Sequence, residues 1–221
     1  MATSGTYNFA PQVDDLIIEA WERCGKNGSE LTSEIARSAR RSLHLALIDW
    51  TNRELNLWQV ERFATTVQAG VYAVPTPLAT VDVLEVLVTQ NNLELMCEPI
   101  GRDDYAALTN KATLTGRPTQ FWSDRRNDVP VIYLFPVPDQ AYPLTVYRIR
   151  LPQDVNGMTE QVDAPILWSE ALCAELAARL AEKYAPDRLQ EKRALADRAY
   201  NFASEEDRER VPLTLLPRLA W

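Results

Sequence analysis

The chain reads Gly70-Val71-Tyr72-Ala73-Val74-Pro75 and, further along, Gly116-Arg117-Pro118-Thr119-Gln120-Phe121-Trp122. Both stretches lie in a region of short β-branched and aromatic runs that proline, glycine and asparagine separate. Such runs with turn residues between them are typical of β-strands. We therefore expect an antiparallel β domain here. The runs expected to form strands are residues 63–67, 71–74, 81–88, 93–98, 130–135 and 144–150.

Apolar residues at helical spacing flank this region on both sides. An apolar stripe from Val13 to Trp21 predicts one helix, and Thr32 is suited to cap a second helix that runs to Trp50. On the other side, Pro165 is suited to the first turn of an apolar helix that reaches Tyr184. A more polar helix is expected from Arg188 to Ala203. The helices therefore belong to the two ends of the sequence and the strands to its middle.

This order predicts an α+β fold, in which a helical domain built from both termini carries an inserted antiparallel β domain and an extended carboxy-terminal tail. The expected segments are 1–56 for the amino-terminal arm and helices, 57–152 for the β domain, 153–209 for the carboxy-terminal helices and 210–221 for the tail. Two prolines favour an extended tail. Its large apolar side chains are costly to leave in water.

Composition excludes several classes of protein. The 221 residues carry 23 basic and 31 acidic side chains, and the net charge of −8 argues against a protein that binds nucleic acid with its whole surface. The longest apolar runs are too short to span a bilayer, and a soluble, non-secreted protein is expected. Cys24, Cys97 and Cys173 are odd in number and widely spaced, which argues against a disulfide framework or a zinc site. We expect three reduced, buried thiols.

Catalytic residues are not indicated. His44 is the sole histidine, and no nucleophile or carboxylate pattern in the sequence completes a site around it. Asp103 and Asp104 offer oxygen atoms but lack the spacing and the turning glycine of a calcium loop, and helix capping explains them. No catalytic residue, cofactor or metal is therefore expected. A small hydrolase that uses these two carboxylates remains the alternative from another class.

Two groups of residues are candidates for contacts with other molecules. Four of them lie on the second helix, where the three arginines share one face and the histidine lies near them. The arginines are suited to ion pairs with Glu34 and with nearby subunits, or to contact with nucleic-acid phosphate; duplex binding by a transcription factor is the corresponding alternative. These four are Arg37, Arg40, Arg41 and His44. The second group is the apolar set of the tail, which either packs back on its own helices or docks on a neighbouring molecule. This set is Val211, Leu213, Leu215, Leu216, Leu219 and Trp221.

Short motifs along nearly the whole chain carry a resemblance to a known family. These motifs are Val13-Asp14-Asp15-Leu16-Ile17, Ala20-Trp21-Glu22-Arg23, Gly70-Val71-Tyr72-Ala73-Val74-Pro75, Asp104-Tyr105, Gly116-Arg117-Pro118 with Phe121-Trp122, Phe135-Pro136-Val137-Pro138 and Pro165-Ile166-Leu167-Trp168. In this order they resemble the head-to-tail adaptor proteins of tailed bacteriophages, which include the tail tubular A proteins of short-tailed phages and related head-completion factors.

The resemblance implies a structural virion protein of the neck or tail that assembles in the host cytoplasm and has no enzymatic activity. Such adaptors form a ring, usually of twelve copies, beneath the portal protein ring. They join the portal to a tail nozzle or tail tube protein and leave a channel through which the genome DNA passes without specific binding. The resemblance implies portal or neighbour contacts for the tail and for the face around Arg37. A stopper, at another level of the neck or tail, is the alternative within assembly.

Overall fold

The computed structural model describes Gly5, residues 9–53 and residues 57–207. The chain folds as two compact units. One is Trp58–Pro152, and the described residues on either side of it, up to residue 57 and from residue 153 onward, form the other. The α+β class with an inserted β domain is thereby confirmed. The predicted tail, residues 210–221, lies outside the described residues, and so do all six of its apolar candidates.

Four long helices build the first unit, the helical unit. The α-helices of the described residues are α1 Val13–Arg23, α2 Ser33–Arg53, α3 Arg102–Ala107, α4 Ser169–Tyr184 and α5 Leu189–Glu206. All but α3 belong to the helical unit. Helix α4 is its centre, because it packs against α1, α2 and α5. Its alanines are mostly buried, and their small side chains allow the neighbouring helices to approach closely.

Local chemistry explains where α1 and α2 begin and end. The backbone N–H groups of Val13 and Asp14 donate to the carbonyls of Glu160 and Met158. The segment before α4, residues 152–163, which we call the connector, thus provides acceptors for N–H groups that have no partner within the first turn of α1. Gly25, at φ 75°, takes the left-handed conformation just beyond the other end of α1. The Thr32 hydroxyl accepts from the backbone N–H of Ile35 at 3.4 Å, which confirms the expected cap of α2.

Three aromatic rings form the centre of the helical core. Trp50 of α2 lies 5.2 Å from Trp168 and 5.4 Å from Tyr200 between ring centroids. The rings of Trp168 and Tyr200 are 5.6 Å apart and meet edge to face. Trp50 and Trp168 are among the largest fully buried side chains of the described residues. This cluster joins α2, α5 and the turn before α4, elements that are distant in sequence.

The second unit, the β unit, contains the strands. They are β1 Val60–Val67, β2 Ala73–Pro75, β3 Thr80–Gln90, β4 Leu93–Pro99, β5 Thr115–Gly116, β6 Gln120–Asp124, β7 Val131–Phe135, β8 Val137–Pro138 and β9 Tyr142–Arg150. Seven of them form one sheet in the order β1-β9-β3-β4-β6-β7-β2, and β5 pairs with β8. Asn91 and Asn92 both have positive φ, which suits the two-residue turn between β3 and β4. Each expected run lies in or overlaps one of these strands.

The sheet also contains features that the sequence pattern did not predict. Strands β4 and β6 pair in parallel, as do β5 and β8, whereas the other pairings are antiparallel. Parallel pairing requires a long crossover, and the chain between β4 and β6 supplies one that includes α3. Strand β6 escaped prediction because only Phe121 among its five residues is buried, so the polar residues around it mask the alternation.

Candidate interaction surfaces

The four candidates on α2 lie at intervals of three and four residues and form what we call the basic face. It consists of Arg37, Arg40, Arg41 and His44. Arg37 and Arg41 are exposed, while Arg40 and His44 are half-buried. Three of the four, Arg40, Arg41 and His44, line a shallow pocket of about 400 Å³ together with residues 154–156 of the connector. All of these residues belong to the helical unit.

The connector uses two of the four side chains. Arg40 Nη1 donates to the carbonyl of Asn156. His44 Nε2 lies 3.4 Å from a carboxylate oxygen of Asp154. Arg37 Nε donates to the carbonyl of Ser33 on its own helix. The members of the basic face best placed to meet another molecule are therefore Arg37 and Arg41, whose guanidinium groups remain at the surface.

The expected pairing with Glu34 is not part of this arrangement. Within the described ranges, no ion pair joins Glu34 to the arginines of the basic face. Asp49 of α2 instead pairs with Arg53 at 2.7 Å and with Arg179 of α4 at 3.3 Å. The carboxylate of Asp49 thus ties α2 to α4, and of the basic face Arg37 and Arg41 are left for other partners.

A second surface is an apolar groove between α4 and α5, which we call the α4–α5 groove. Its volume is about 730 Å³. The floor is made of alanines of both helices, and the rims carry large apolar side chains that are unusually open: Leu167 is 75% exposed, Phe202 67% and Leu195 46%. Three large apolar side chains this exposed beside one groove make it a candidate interaction site.

A second hollow lies on the other side of Leu167, between α1 and the start of α4. It has a volume of about 770 Å³, and exposed Phe9, Ile18 and Ile166 line it. Arg23 borders both hollows and donates to the two carboxylate oxygens of Glu170 at 2.7 and 2.8 Å. This bond lowers the pKa of the Glu170 carboxyl, so the pair stays charged at neutral pH.

The β unit carries a surface of its own, a row of four rings that we call the aromatic row. It consists of Tyr72, Tyr105, Trp122 and Tyr133. Trp122 of β6 and Tyr133 of β7 are direct cross-strand partners, and their rings stack at 5.1 Å. Tyr105 of α3 stacks on Trp122 at 5.2 Å, and Tyr72 lies 6.2 Å from Tyr133. Tyr72 is exposed and the other three rings are half-buried.

Two cations border the aromatic row. Arg126 donates to the Tyr133 hydroxyl at 2.6 Å, and its guanidinium carbon lies 5.9 Å from that ring's centroid. Lys111 Nζ lies 5.0 Å from the ring centroid of Tyr105. Partial burial and the neighbouring tyrosines raise the pKa of Tyr105, so its hydroxyl stays protonated at neutral pH. Stacked rings with flanking cations form a rigid surface of the kind that protein interfaces favour.

The carboxylates of the alternative hydrolase have a simpler explanation. Asp103 and Asp104 are exposed in the first turn of α3, where the helix dipole stabilises negative charge. Among residues 9–53 and 57–207, no three His, Cys, Asp or Glu side chains gather in a group suited to a metal ion. In the same ranges, no helix combines the length and the apolar character that a membrane crossing needs.

The three cysteines are buried and free. Burial raises the pKa of Cys97 and of Cys173 to about 11. Burial also raises the pKa of Cys24, whose thiol donates to the carbonyl of Ala177 at 3.3 Å. A thiol is nucleophilic only as the thiolate, so these side chains are packing elements.

Alkylation kinetics test this assignment. At pH 8 a thiol with a pKa of about 11 is roughly a hundredfold or more less ionised than an ordinary cysteine, so iodoacetamide should label Cys97 and Cys173 of the native protein at least that much more slowly than the same residues of the urea-unfolded chain. Labelling of the native protein should accelerate as the pH rises toward 11. Labelling of all three native thiols at the rate of free cysteine would contradict the burial of these side chains.

Two of these surfaces are not predicted from the sequence, although a signal for one of them, the α4–α5 groove, is present in it. The sequence pattern predicts a polar helix for α5, yet Leu195, Ala199 and Phe202 recur along it beside the buried stripe that contains Ala196 and Tyr200. A second apolar stripe on a charged helix is the signal for the α4–α5 groove. The rings of the aromatic row come from separate motifs, and only the pairing of β6 with β7 brings them together.

A family model described as the SU10 adaptor protein matches residues 11–216. No curated protein matches the sequence. The matched range includes both helical segments, the whole β unit and the first residues of the tail.

Proposed function

Since the chain belongs to the SU10 adaptor protein family, a family of phage head-to-tail adaptors, we propose that it forms a ring of twelve copies that joins the portal ring to the tail. Family membership makes the chain a structural adaptor of a bacteriophage virion that interacts with portal and tail components. Its place is the virion neck. The ring, the number of copies and the channel belong to the proposal.

The single observation that carries the proposal is the extent of the family match. It runs from residue 11 to residue 216 and therefore covers both folded units. An adaptor has to contact different partners with different parts of one chain. The surfaces described above support such a division, since the helical unit carries the basic face and the α4–α5 groove, while the β unit carries the aromatic row.

A closed ring of identical subunits needs two unlike surfaces on each chain, because every contact joins one surface to another. We propose that the helical unit contacts the portal and neighbouring subunits, with Arg37, Arg40, Arg41 and His44 among the contact residues. The β unit then faces the tail nozzle or tail tube protein. The tail, with Val211, Leu213, Leu215, Leu216, Leu219 and Trp221, docks on the portal or on a neighbouring copy.

The net charge supports a role as a conduit. At −8 per chain, a twelve-copy ring carries a strong negative field that repels DNA phosphates. Genome DNA would then slide through the channel without specific binding, because few counterions would be released by contact with the wall. Assembly, rather than catalysis, is the activity proposed for this protein.

Binding to the isolated portal ring tests the proposal. Sedimentation velocity should show that the protein co-sediments with the portal ring. Replacing exposed Arg37 and Arg41 by glutamate should weaken this binding by about tenfold or more at low salt, since each replacement turns an attraction into a repulsion. A charge-matched control replaces Arg62 and Arg193 by glutamate and should bind normally.

The outcomes separate the parts of the proposal. Binding that the basic-face replacements leave unchanged would remove that face from the contact and keep the adaptor. A wild-type protein that does not bind the portal ring but binds a completed adaptor ring would be a stopper. A wild-type protein that binds neither would overturn the proposed function.

A further inference from the structure

The α4–α5 groove is an apolar surface that the described residues leave uncovered. Its floor of small side chains, between rims that carry Leu167, Leu195 and Phe202, has the shape of a channel for an extended chain or for protruding apolar side chains. The helical core does not need the three rim residues, since each is exposed in the folded unit. The described residues leave these three side chains exposed, so another segment or molecule can pack against them.

The chain itself contains a segment that fits. Fourteen residues, 208–221, follow the described part of α5, and six of the last eleven are the apolar side chains of the tail. Along α5 the groove extends from Lys192 to Glu206, about 21 Å at the helical rise. Residues 211–221 span up to about 35 Å when extended, which is enough to cover this length with several apolar side chains.

The sequence at the end of α5 indicates which copy supplies the occupant. To enter the groove of its own chain, the backbone must reverse immediately after Glu206, at the groove's edge. Asp207 ends the helix at φ −84° and ψ 16°, a conformation also found in type I turns, so residues 208–210 would have to complete such a reversal. Residues 208–210 are Arg-Glu-Arg, without glycine, asparagine or proline, and Pro212 favours an extended Val211. An occupant from the same chain therefore needs a tight reversal at this point, whereas an occupant from a neighbouring copy needs none.

We propose that the α4–α5 groove binds residues 211–221 of a neighbouring copy of this chain. Each copy then donates its tail and accepts another, which is the unlike pair of surfaces that closes a ring by rotation. Prolines at positions 212 and 217 restrict the unbound tail and lower the entropic cost of docking. The inference rests on the ring of the proposed function and identifies a contact that holds it together.

A peptide experiment tests the groove independently of the ring. A synthetic peptide of residues 210–221 should bind the protein that lacks these residues, as measured by fluorescence anisotropy of a labelled peptide. Replacing Leu195 and Phe202 by glutamate should weaken binding by about tenfold or more, because both are exposed rim residues and the variant should fold normally. Leu78→Glu, at an apolar residue of the β unit that is 82% exposed, is the control and should bind the peptide as the parent does.

A crosslinking experiment identifies the donor. The full-length Leu216→Cys variant is mixed with a tagged, and therefore longer, chain that carries Leu195→Cys. The portal ring is added, and a short bismaleimide then links cysteines that lie close together. The native thiols are buried and should not react. The inference expects a linked pair of unequal chains. A doubly substituted chain that is linked only within itself would overturn it, as would a peptide that does not bind. A ring that assembles without any link would overturn the inference and keep the proposed function, whereas absence of a ring would count against the function.

Discussion

Replacing Trp50 by alanine is expected to lower the free energy of unfolding of the helical unit by about 3–5 kcal/mol, the range for removing a buried large aromatic side chain. Trp50 is fully buried and packs against both Trp168 and Tyr200. Its indole N–H has no hydrogen-bond partner among the described residues, so the loss is one of packing and of two ring contacts. Urea denaturation followed by circular dichroism at 222 nm measures the effect.

Leu45→Ala, on the same helix, is the matched control. Leu45 is exposed, so its truncation should change the free energy of unfolding by no more than about 0.5 kcal/mol. Trp50→Phe should lie between the two, since it keeps one ring in the cluster. A Trp50→Ala variant that unfolds at the same urea concentration as the Leu45→Ala variant would contradict the place of this residue in the core.

Deleting residues 210–221 is expected to reduce recruitment of the protein to the portal ring by about a hundredfold or more. The segment contains six apolar side chains, and burial of only three of them contributes about 4–5 kcal/mol before the cost of ordering is subtracted. About 2.7 kcal/mol of net loss corresponds to a hundredfold change in affinity. Sedimentation velocity with a fixed amount of portal ring measures the change.

The deletion should leave the helical unit folded, because the buried residues of α5 are Ala196, Tyr200 and Ser204. Its urea transition is therefore the control for folding. A second control replaces Arg210 and Arg218 by serine and keeps every apolar side chain, and this variant should bind much more tightly than the deletion. If the protein without residues 210–221 bound the portal ring as well as the full-length protein does, the tail would not contribute to portal binding.

The sequence allowed the fold class to be predicted because periodicity reports local structure. The stripe from Val13 to Trp21 and the alternation of β3 each depend on a few neighbouring residues. Strand β6 was missed, because its pairing with β4 depends on a crossover of some twenty residues that no local pattern contains. The turn at Asn91-Asn92 was visible, since asparagine accepts the positive φ that a two-residue hairpin requires.

The candidate surfaces were harder to predict because they arise from packing between distant segments. The spacing of Arg37, Arg40, Arg41 and His44 placed them on one helix face, but only the structure shows that the connector engages Arg40 and His44. The aromatic row requires β6 and β7 to pair and α3 to lie beside them.

The α4–α5 groove is the clearest case, since Leu167 and Phe202 are 35 positions apart in the sequence. Helix periodicity is enough to assign each of these residues to a face of its own helix. It cannot show that two such faces leave a hollow between them. The role of the tail, by contrast, stays a prediction from the sequence, which rests on the cost of leaving a proline-restricted apolar segment in water.

The central claim is that this chain forms a ring on the portal, and electron microscopy of the portal ring with and without the added protein tests it most directly. The account predicts a new layer beneath the portal that has the portal's rotational symmetry and an open central channel. It also predicts that this layer is lost or much weakened when residues 210–221 are deleted. A portal ring that gains no density from the full-length protein would contradict the claim.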